Sequence, residues 1–145
     1  MKKIFIVTIL LISAVTSYAQ SKTTENTAIE KTIINYIENF FENNFDAMNE
    51  SLHPRLAKRG LNRDGTLSGD FPPEKLKELM STKKIFEVKH QNNVVENISI
   101  YGNMASASLR TGYPKVRWTE YIHLMKQDGD WKIINVFWEF ESNSK

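Results

Sequence analysis

Cysteine is absent from this 145-residue chain. The absence excludes disulfides, thiol catalysis, cysteine-ligated zinc and the lipid-bearing cysteine of a bacterial lipoprotein. Internal repeats and low-complexity stretches are also missing. The length of the chain corresponds to one domain. Such a domain must be held together by packing. Its 8 Phe, 5 Tyr and 3 Trp can supply that packing, because each large ring buries roughly 150–250 Å².

The sequence also lacks an apolar run long enough to cross a bilayer. Ile4 to Val15 is almost wholly apolar but is only about a dozen residues long, against the roughly 20 that a transmembrane helix needs. It follows two lysines and precedes small residues that form a cleavage position after Ala19. This layout predicts a signal peptide over residues 1–19 and an exported protein, periplasmic or secreted, with no membrane attachment after cleavage. The alternative is that the segment is retained as a membrane anchor.

An excess of charge of either sign is missing once that segment is removed. Residues 1–19 carry two lysines and no acid, so the totals of 19 basic and 17 acidic residues become 17 of each. Generic nucleic-acid affinity therefore has no support, and we expect no nucleic-acid partner. The 3 histidines have neither the spacing nor the flanking acids of a zinc site, so no metal and no cofactor is expected.

The first part of the chain predicts helices. Residues 20–27 are polar and are expected to form a flexible leader, whereas a long helix is predicted from residue 28 to about residue 43. The apolar stripe of this helix consists of Ile29, Ile33, Ile37, Phe40 and Phe41. The shorter elements predicted next are a helix over 47–52 that Asp46 caps and Pro54 stops, a weak strand over 55–62, and a helix over 74–81.

The second part of the chain predicts an antiparallel meander. Alternating apolar residues separated by turn signals indicate four strands. The strands cover residues 94–101, 104–111, 116–127 and 130–140. Helices followed by such a meander indicate an α+β domain, here over residues 28–140, with a polar tail over residues 141–145.

The register of the last hairpin can be predicted, because a tight turn fixes which residues lie opposite each other. With a two-residue turn at 128–129, Glu120 lies opposite Phe137, on a face that also holds Trp118 and Asn135. We expect this face to pack against the long helix. The other face is also apolar, which predicts a homodimer that covers it, unless the shorter helices fold back over it. The predicted dimer contacts are Tyr121, Ile134, Val136 and Trp138.

Several segments occur in an order that is typical of a known family. They are Leu52-His53-Pro54, the hairpin over 98–107, the strand over 119–124 and the closing Gly129-Asp130-Trp131-Lys132-Ile133. Together they resemble the family called putative lumazine-binding proteins, within the NTF2-like superfamily, over roughly residues 28–140. The resemblance implies a cone: a long N-terminal helix packed in a curved antiparallel sheet, a pocket between them and frequent dimerisation through the sheet. The family's usual Asp in the strand predicted over 116–127 is Glu120 here.

Glu120 is the principal candidate site residue. Alternation points it inward with Trp118, where a carboxylate must be paired or lie at the mouth of a pocket. It could be a base or a ligand anchor oriented by Asn135, or a structural carboxylate bonded to a helix end or a basic residue. Tyr36, one residue from the apolar stripe, is a candidate donor in the pocket. His53 is either a general acid/base or a helix cap, and the cap is favoured.

A local basic cluster precedes the third predicted helix. It can be read as a site for an anionic ligand group or for a partner's acidic patch or, as we expect, as a solvated surface. The cluster consists of Arg55, Lys58, Arg59 and Arg63.

Three functions fit this sequence, and a module that binds a small, partly apolar molecule between helix and sheet fits best. The predicted ligand-binding residues are Tyr36, Phe40, Trp118, Glu120, Asn135 and Phe137. The first alternative is an isomerase, dehydratase or hydrolase that uses Glu120 as a base and Tyr36 as a donor, with His53 a further catalytic candidate. The second is a purely structural dimerisation module, whose cavity would be filled by its own side chains.

Overall fold

The computed structural model describes residues 23–141 of the chain. The predicted signal peptide and residues 142–145 of the predicted tail lie outside the described residues. The N-terminal helix, α1, covers residues 23–42 of the described part. The elements that follow are α2 (Phe45–Asn49), β1 (Leu52–Leu61), α3 (Pro73–Thr82), a short 3-10 helix (Val88–His90), β2 (Val94–Tyr101), β3 (Met104–Tyr113), β4 (Val116–Gln127) and β5 (Asp130–Phe140).

The five strands form one curved sheet in the order β1-β5-β4-β3-β2. The meander from β2 to β5 is antiparallel, as the sequence predicts, and β1 joins its β5 edge in the parallel direction. The α+β class is therefore confirmed. The long helix packs on the sheet as predicted, because its buried residues share one core cluster with those of the strands. Within residues 23–141, no helix combines the length and the apolar character that crossing a membrane requires.

Helix α1 buries the stripe predicted for it, because residues three and four apart share one face of a helix. Ile29, Ile33 and Ile37 are fully buried in the core. The helix begins earlier than predicted, since residues 23–27 of the expected leader already belong to it. Glu25 explains the difference: it accepts hydrogen bonds from Lys126 Nζ at 2.6 Å and Trp131 Nε1 at 2.7 Å. These bonds tie the first described turn of α1 to the β4–β5 hairpin.

The segment after α1 departs from the prediction at two positions. Asn44, and not Asp46, caps the short helix α2, because its side chain accepts from the amide of Ala47. Pro54 does not stop a helix but lies inside β1. A proline is tolerated there because β1 is an edge strand and its pairing with β5 is interrupted between Leu52 and Ala57.

A β-bulge in β5 corrects the predicted register of the last hairpin. Leu124 pairs with Ile133 as predicted, but the next pair is His123 with Asn135, so Ile134 is an extra residue. Beyond it Glu120 lies opposite Trp138, and not opposite Phe137. The bulge therefore shifts every later residue of β5 by one position relative to β4.

After the bulge, the residues of β5 from Asn135 onward therefore lie on the opposite face of the sheet from the one predicted. Val136, predicted at a dimer interface, is fully buried in the core, and Trp138 packs against the same core. Phe137, predicted in the pocket, lies opposite Tyr121 on the outer face, where the two are 37% and 63% exposed. Asn135, also predicted in the pocket, bonds to His123 on that outer face. Four of the predicted positions are thus wrong for one reason, the unpredicted bulge: Asn135 and Phe137 in the pocket, and Val136 and Trp138 at the interface.

Candidate functional site

Four polar or aromatic side chains meet at one point between α1 and the sheet. Tyr36 comes from the buried face of α1, and Trp118 and Glu120 come from alternate positions of β4. Lys58 comes from β1, where the buried residues alternate in step with it. Three separate elements therefore deliver one cluster, which we call the Tyr36–Lys58–Glu120 cluster.

The cluster is joined by short hydrogen bonds. The Lys58 ammonium donates to Glu120 Oε1 and to the Tyr36 hydroxyl oxygen, both at 2.6 Å. The Tyr36 hydroxyl donates to Glu120 Oε2 at 3.0 Å, and the Trp118 indole N–H donates to Oε1 at 3.0 Å. Both carboxylate oxygens are thus hydrogen-bonded, which satisfies the requirement that a buried charge be paired.

Burial makes this ion pair different from a surface pair. Glu120 is 1% exposed and Lys58 is 7% exposed. Because water does not screen the pair, removing one partner leaves the other charge uncompensated in the core. The same burial, followed by the charge of Glu120 and its hydrogen bond, raises the pKa of the Tyr36 hydroxyl well above its ordinary value. Tyr36 therefore remains a neutral hydroxyl over the physiological pH range.

A cavity of about 530 Å³ lies beside the cluster, between the end of α1, α3 and the sheet. Lys58 and Glu120 form part of its wall. The remaining wall is mostly aromatic and aliphatic: Phe40, Phe41, Phe71, Leu76, Leu79, Phe86, Tyr113, Trp118, Trp138 and Phe140. The rings of Phe86 and Tyr113 stack at 4.0 Å, and Phe41 meets both edge-on. This volume and this lining are typical of a site for a small organic molecule.

Two further lysines, Lys83 and Lys84, line the same cavity just after α3. Lys83 Nζ lies 4.7 Å from the centre of the Phe40 ring and donates to the carbonyl oxygen of Phe41 at 3.1 Å. Partial burial of this ammonium lowers the pKa of Lys83 to about 8. Lys84 is exposed, with its Nζ 5.4 Å from the centre of the Phe86 ring.

The structure brings together four of the six predicted ligand-binding residues. Glu120, Trp118 and Phe40 line the cavity, and Tyr36 lies directly behind it, bonded to Glu120. The other two lie on the outer face of the sheet. His53 is also elsewhere: α2 ends before it, and its ring accepts a bond from the backbone amide two residues later. It neither caps that helix nor lines the cavity.

Lys58 is the candidate site residue that the sequence does not reveal on its own. The sequence groups it with a solvated basic cluster, whereas the strand alternation of Leu56, Lys58 and Gly60 points all three inward. That alternation is a readable signal, but the strand is too weakly predicted for it to be used. Other members of the basic cluster do lie outside: Arg59 forms an exposed ion pair with Asp70 at 2.7 Å. No group of three or more histidine or acidic side chains within residues 23–141 is arranged to hold a metal ion.

Comparison with known proteins supports the fold. A family described as "Putative lumazine-binding" matches residues 24–139. An NTF2-like protein of unknown function from Shewanella baltica is 21% identical with a TM-score of 0.72, covering 83% of this chain and 97% of its own. One from Silicibacter pomeroyi is 12% identical with a TM-score of 0.74, covering 83% and 98%.

A third similar structure is named for an enzyme. It is a putative scytalone dehydratase from Novosphingobium aromaticivorans, 13% identical with a TM-score of 0.60, covering 86% of this chain and 89% of its own. No curated protein matches the sequence. At these identities the solved structures establish a shared fold and leave the function to be argued from the site.

Proposed function

The chain belongs to the putative lumazine-binding family of NTF2-like domains, and we propose that it binds a small, largely apolar molecule in the cavity beside the Tyr36–Lys58–Glu120 cluster. The observation that carries the proposal is the cavity of about 530 Å³, whose wall is mostly aromatic and whose polar groups are few. A binding site needs this combination: apolar surface for affinity and a few fixed polar groups for orientation. A purely structural module does not need so large an internal space.

Lys58 is the polar group that we expect to contact the ligand. An ammonium has three N–H donors, and two of them are used within the described residues, on Glu120 and Tyr36. Lys58 also lines the cavity, so its third donor is available to an acceptor such as a carbonyl oxygen. Glu120 and Tyr36 then hold the ammonium in place.

The same geometry argues against Glu120 as the base of an enzyme. A carboxylate has about four lone-pair sites, and three donors already occupy sites on Glu120: Lys58, Tyr36 and Trp118. Tyr36, the predicted donor for a substrate, instead donates to the base itself. The name of the Novosphingobium aromaticivorans protein keeps proton transfer as an alternative. Binding without turnover accounts for the contacts more simply.

The test is native mass spectrometry of the protein purified without denaturant, compared with its denatured mass. We expect a small-molecule adduct in the native spectrum only. Leu79→Trp should remove the adduct, because Leu79 lines the cavity and the larger ring fills it. Leu67→Trp is the matched control, since Leu67 is 60% exposed and does not line the cavity. Equal adducts in both folded variants would contradict binding at this site.

Glu120→Gln separates the enzyme from the binding module. The amide keeps acceptor and shape but cannot act as a base. If a compound released from the native protein is converted by the wild type, and Glu120→Gln binds it but does not convert it, the enzyme alternative is correct. Retained binding with no conversion by either protein supports the binding module.

Export and homodimerisation belong to the same proposal. The predicted signal peptide supports export, which cell fractionation with and without residues 1–19 would test. The exposed pair Tyr121 and Phe137 on the outer face of the sheet is where we place the partner subunit. Sedimentation of wild type and Tyr121→Lys should then differ, with the variant shifted toward monomer. A wild-type monomer at high concentration would exclude this interface.

A further inference from the structure

We propose that the molecule bound in the cavity is an amphipathic anion, with its acidic head between Lys83 and Lys84 and its apolar body against the aromatic wall. This inference rests on the proposed binding function and adds the chemical class of the ligand. The charges of the cavity and the position of Lys83 carry it.

The cavity wall has more positive charge than it can neutralise. It contains three lysines, Lys58, Lys83 and Lys84, and one acid, Glu120. The acid is already paired with Lys58 at 2.6 Å. Neither of the other two lysines forms an ion pair with an acidic side chain of residues 23–141. Two positive charges therefore remain at the α3 end of the cavity, while the inner end is neutral overall.

The surroundings of the Lys83 ammonium favour the binding of an anion. Its Nζ lies over the rings of Phe40 and Phe41, at 4.7 and 5.9 Å from their centres, and its hydrogen-bond partner is an uncharged carbonyl. Burial without a counter-charge disfavours the ammonium, which is the cause of its lowered pKa of about 8. An acidic group placed beside Nζ would remove that penalty and gain charge-assisted hydrogen bonds.

The alternatives to an anion fit this arrangement less well. A cation would meet two unpaired ammonium groups at the α3 end. A neutral molecule would bury Lys83 further without compensating it. An anion with its head at Lys83 instead directs its apolar body inward, over the stacked Phe86 and Tyr113 rings toward Trp118. The third donor of Lys58 then meets any polar atom at the inner end of that body.

Two fluorescent probes with one scaffold test this inference. Anilinonaphthalene sulfonate carries an acidic head, and N-phenylnaphthylamine is the same scaffold without the sulfonate. We expect the folded protein to bind the sulfonate about tenfold more tightly, as one charge-assisted contact implies. Naphthoate and naphthyl phosphate should each be tried as competitors, because a carboxylate and a phosphate share the required charge. Displacement by either supports the inference and identifies the preferred head.

Substitutions of Lys83 test where the acidic head of the ligand binds. Lys83→Met should strongly reduce the preference for the sulfonate while leaving the neutral probe bound, and Lys83→Arg should retain the preference. Lys77→Met is the matched control, because Lys77 lies on α3 over the Phe45 ring and does not line the cavity. Thermal unfolding confirms that each variant is folded before binding is compared.

The possible failures are distinguishable. If the neutral probe binds as tightly as the sulfonate and Leu79→Trp excludes both, the cavity binds ligands but the anion inference is wrong. An equal preference in Lys83→Met and Lys77→Met would also overturn it. If Leu79→Trp excludes neither probe, both the binding function and the inference fail.

Discussion

Replacement of Lys58 by Met is the most informative single perturbation of this domain. Methionine fills similar space but removes the ammonium that neutralises Glu120, which is 1% exposed. The carboxylate then stays in the core with only neutral donors, Tyr36 and Trp118. Breaking a buried ion pair in this way destabilises a protein by about 3–5 kcal/mol. We expect a loss of that size in the free energy of unfolding.

A second substitution, Glu120→Gln, shows whether the loss comes from the stranded charge. It removes the charge but keeps an oxygen that accepts from Trp118. The double variant Lys58→Met, Glu120→Gln should therefore recover about 2 kcal/mol or more of the loss, because neighbouring residues in one network are coupled. Urea denaturation followed by tryptophan fluorescence and circular dichroism gives the free energies of the wild type, the two single variants and the double variant.

The exposed pair of Arg59 and Asp70 supplies the control. Its 2.7 Å separation nearly equals that of the buried pair, but its side chains are 40% and 64% exposed. Arg59→Met should destabilise by less than about 1 kcal/mol, because solvent screens a surface pair. Two results would refute this reasoning: Lys58→Met lowers the free energy of unfolding no more than Arg59→Met does, or the loss in the double variant equals the sum of the losses in the two single variants. Either result would mean that Lys58 does not neutralise a buried Glu120 charge.

Three further outcomes are expected. The pKa of Tyr36 is raised in the folded state, so the neutral hydroxyl contributes fully to stability below about pH 10 and this contribution is lost as the pH rises further. Urea denaturation should therefore show a smaller loss of stability at alkaline pH in Tyr36→Phe than in the wild type. An equal alkaline loss in the two proteins would contradict the raised pKa. Lys83, with a pKa of about 8, should be acylated faster than Lys77 at pH 8, because more of its amine is unprotonated than in an ordinary lysine. Peptides quantified by mass spectrometry give both rates, and equal rates would contradict the lowered pKa. Gly60→Ala should lower the melting temperature by several degrees, because an added Cβ would overlap the indole ring and carbonyl oxygen of Trp138; an unchanged melting temperature would show that the contact can relax.

The long helix and the strand boundaries are predictable because each rests on a local period. The stripe from Ile29 to Phe41 repeats every three or four residues, and all its members but Phe40 are fully or almost fully buried. Three of the four strands predicted for the meander have the bounds observed, and β3 is two residues longer. Turn residues and alternation suffice for these, since neither depends on distant parts of the chain.

The errors lie where distant contacts decide the structure. The turn at 128–129 fixes pairing only as far as the first irregularity, so the bulge at Ile134 changes the face of Asn135 and Phe137 without a readable signal. Lys58 joins the site because β1 pairs with β5, far away in sequence, and its charge is tolerated only because Glu120 is there. Of the candidate site, Tyr36, Phe40, Trp118 and Glu120 are predictable, because they belong to locally periodic elements.

The bulge at Ile134 also offers a way to change the shape of the cavity. Ile134 is the residue of β5 that has no partner on β4, so deleting it would leave each remaining pair between the two strands unchanged. What would change is curvature, because an extra residue bends a strand and increases its twist. We expect the shortened strand to lie flatter under α1 and the space beside Glu120 to change in volume, although no residue that lines it has been replaced. We therefore expect the size of this cavity to depend on the length of β5 as well as on the residues of its wall.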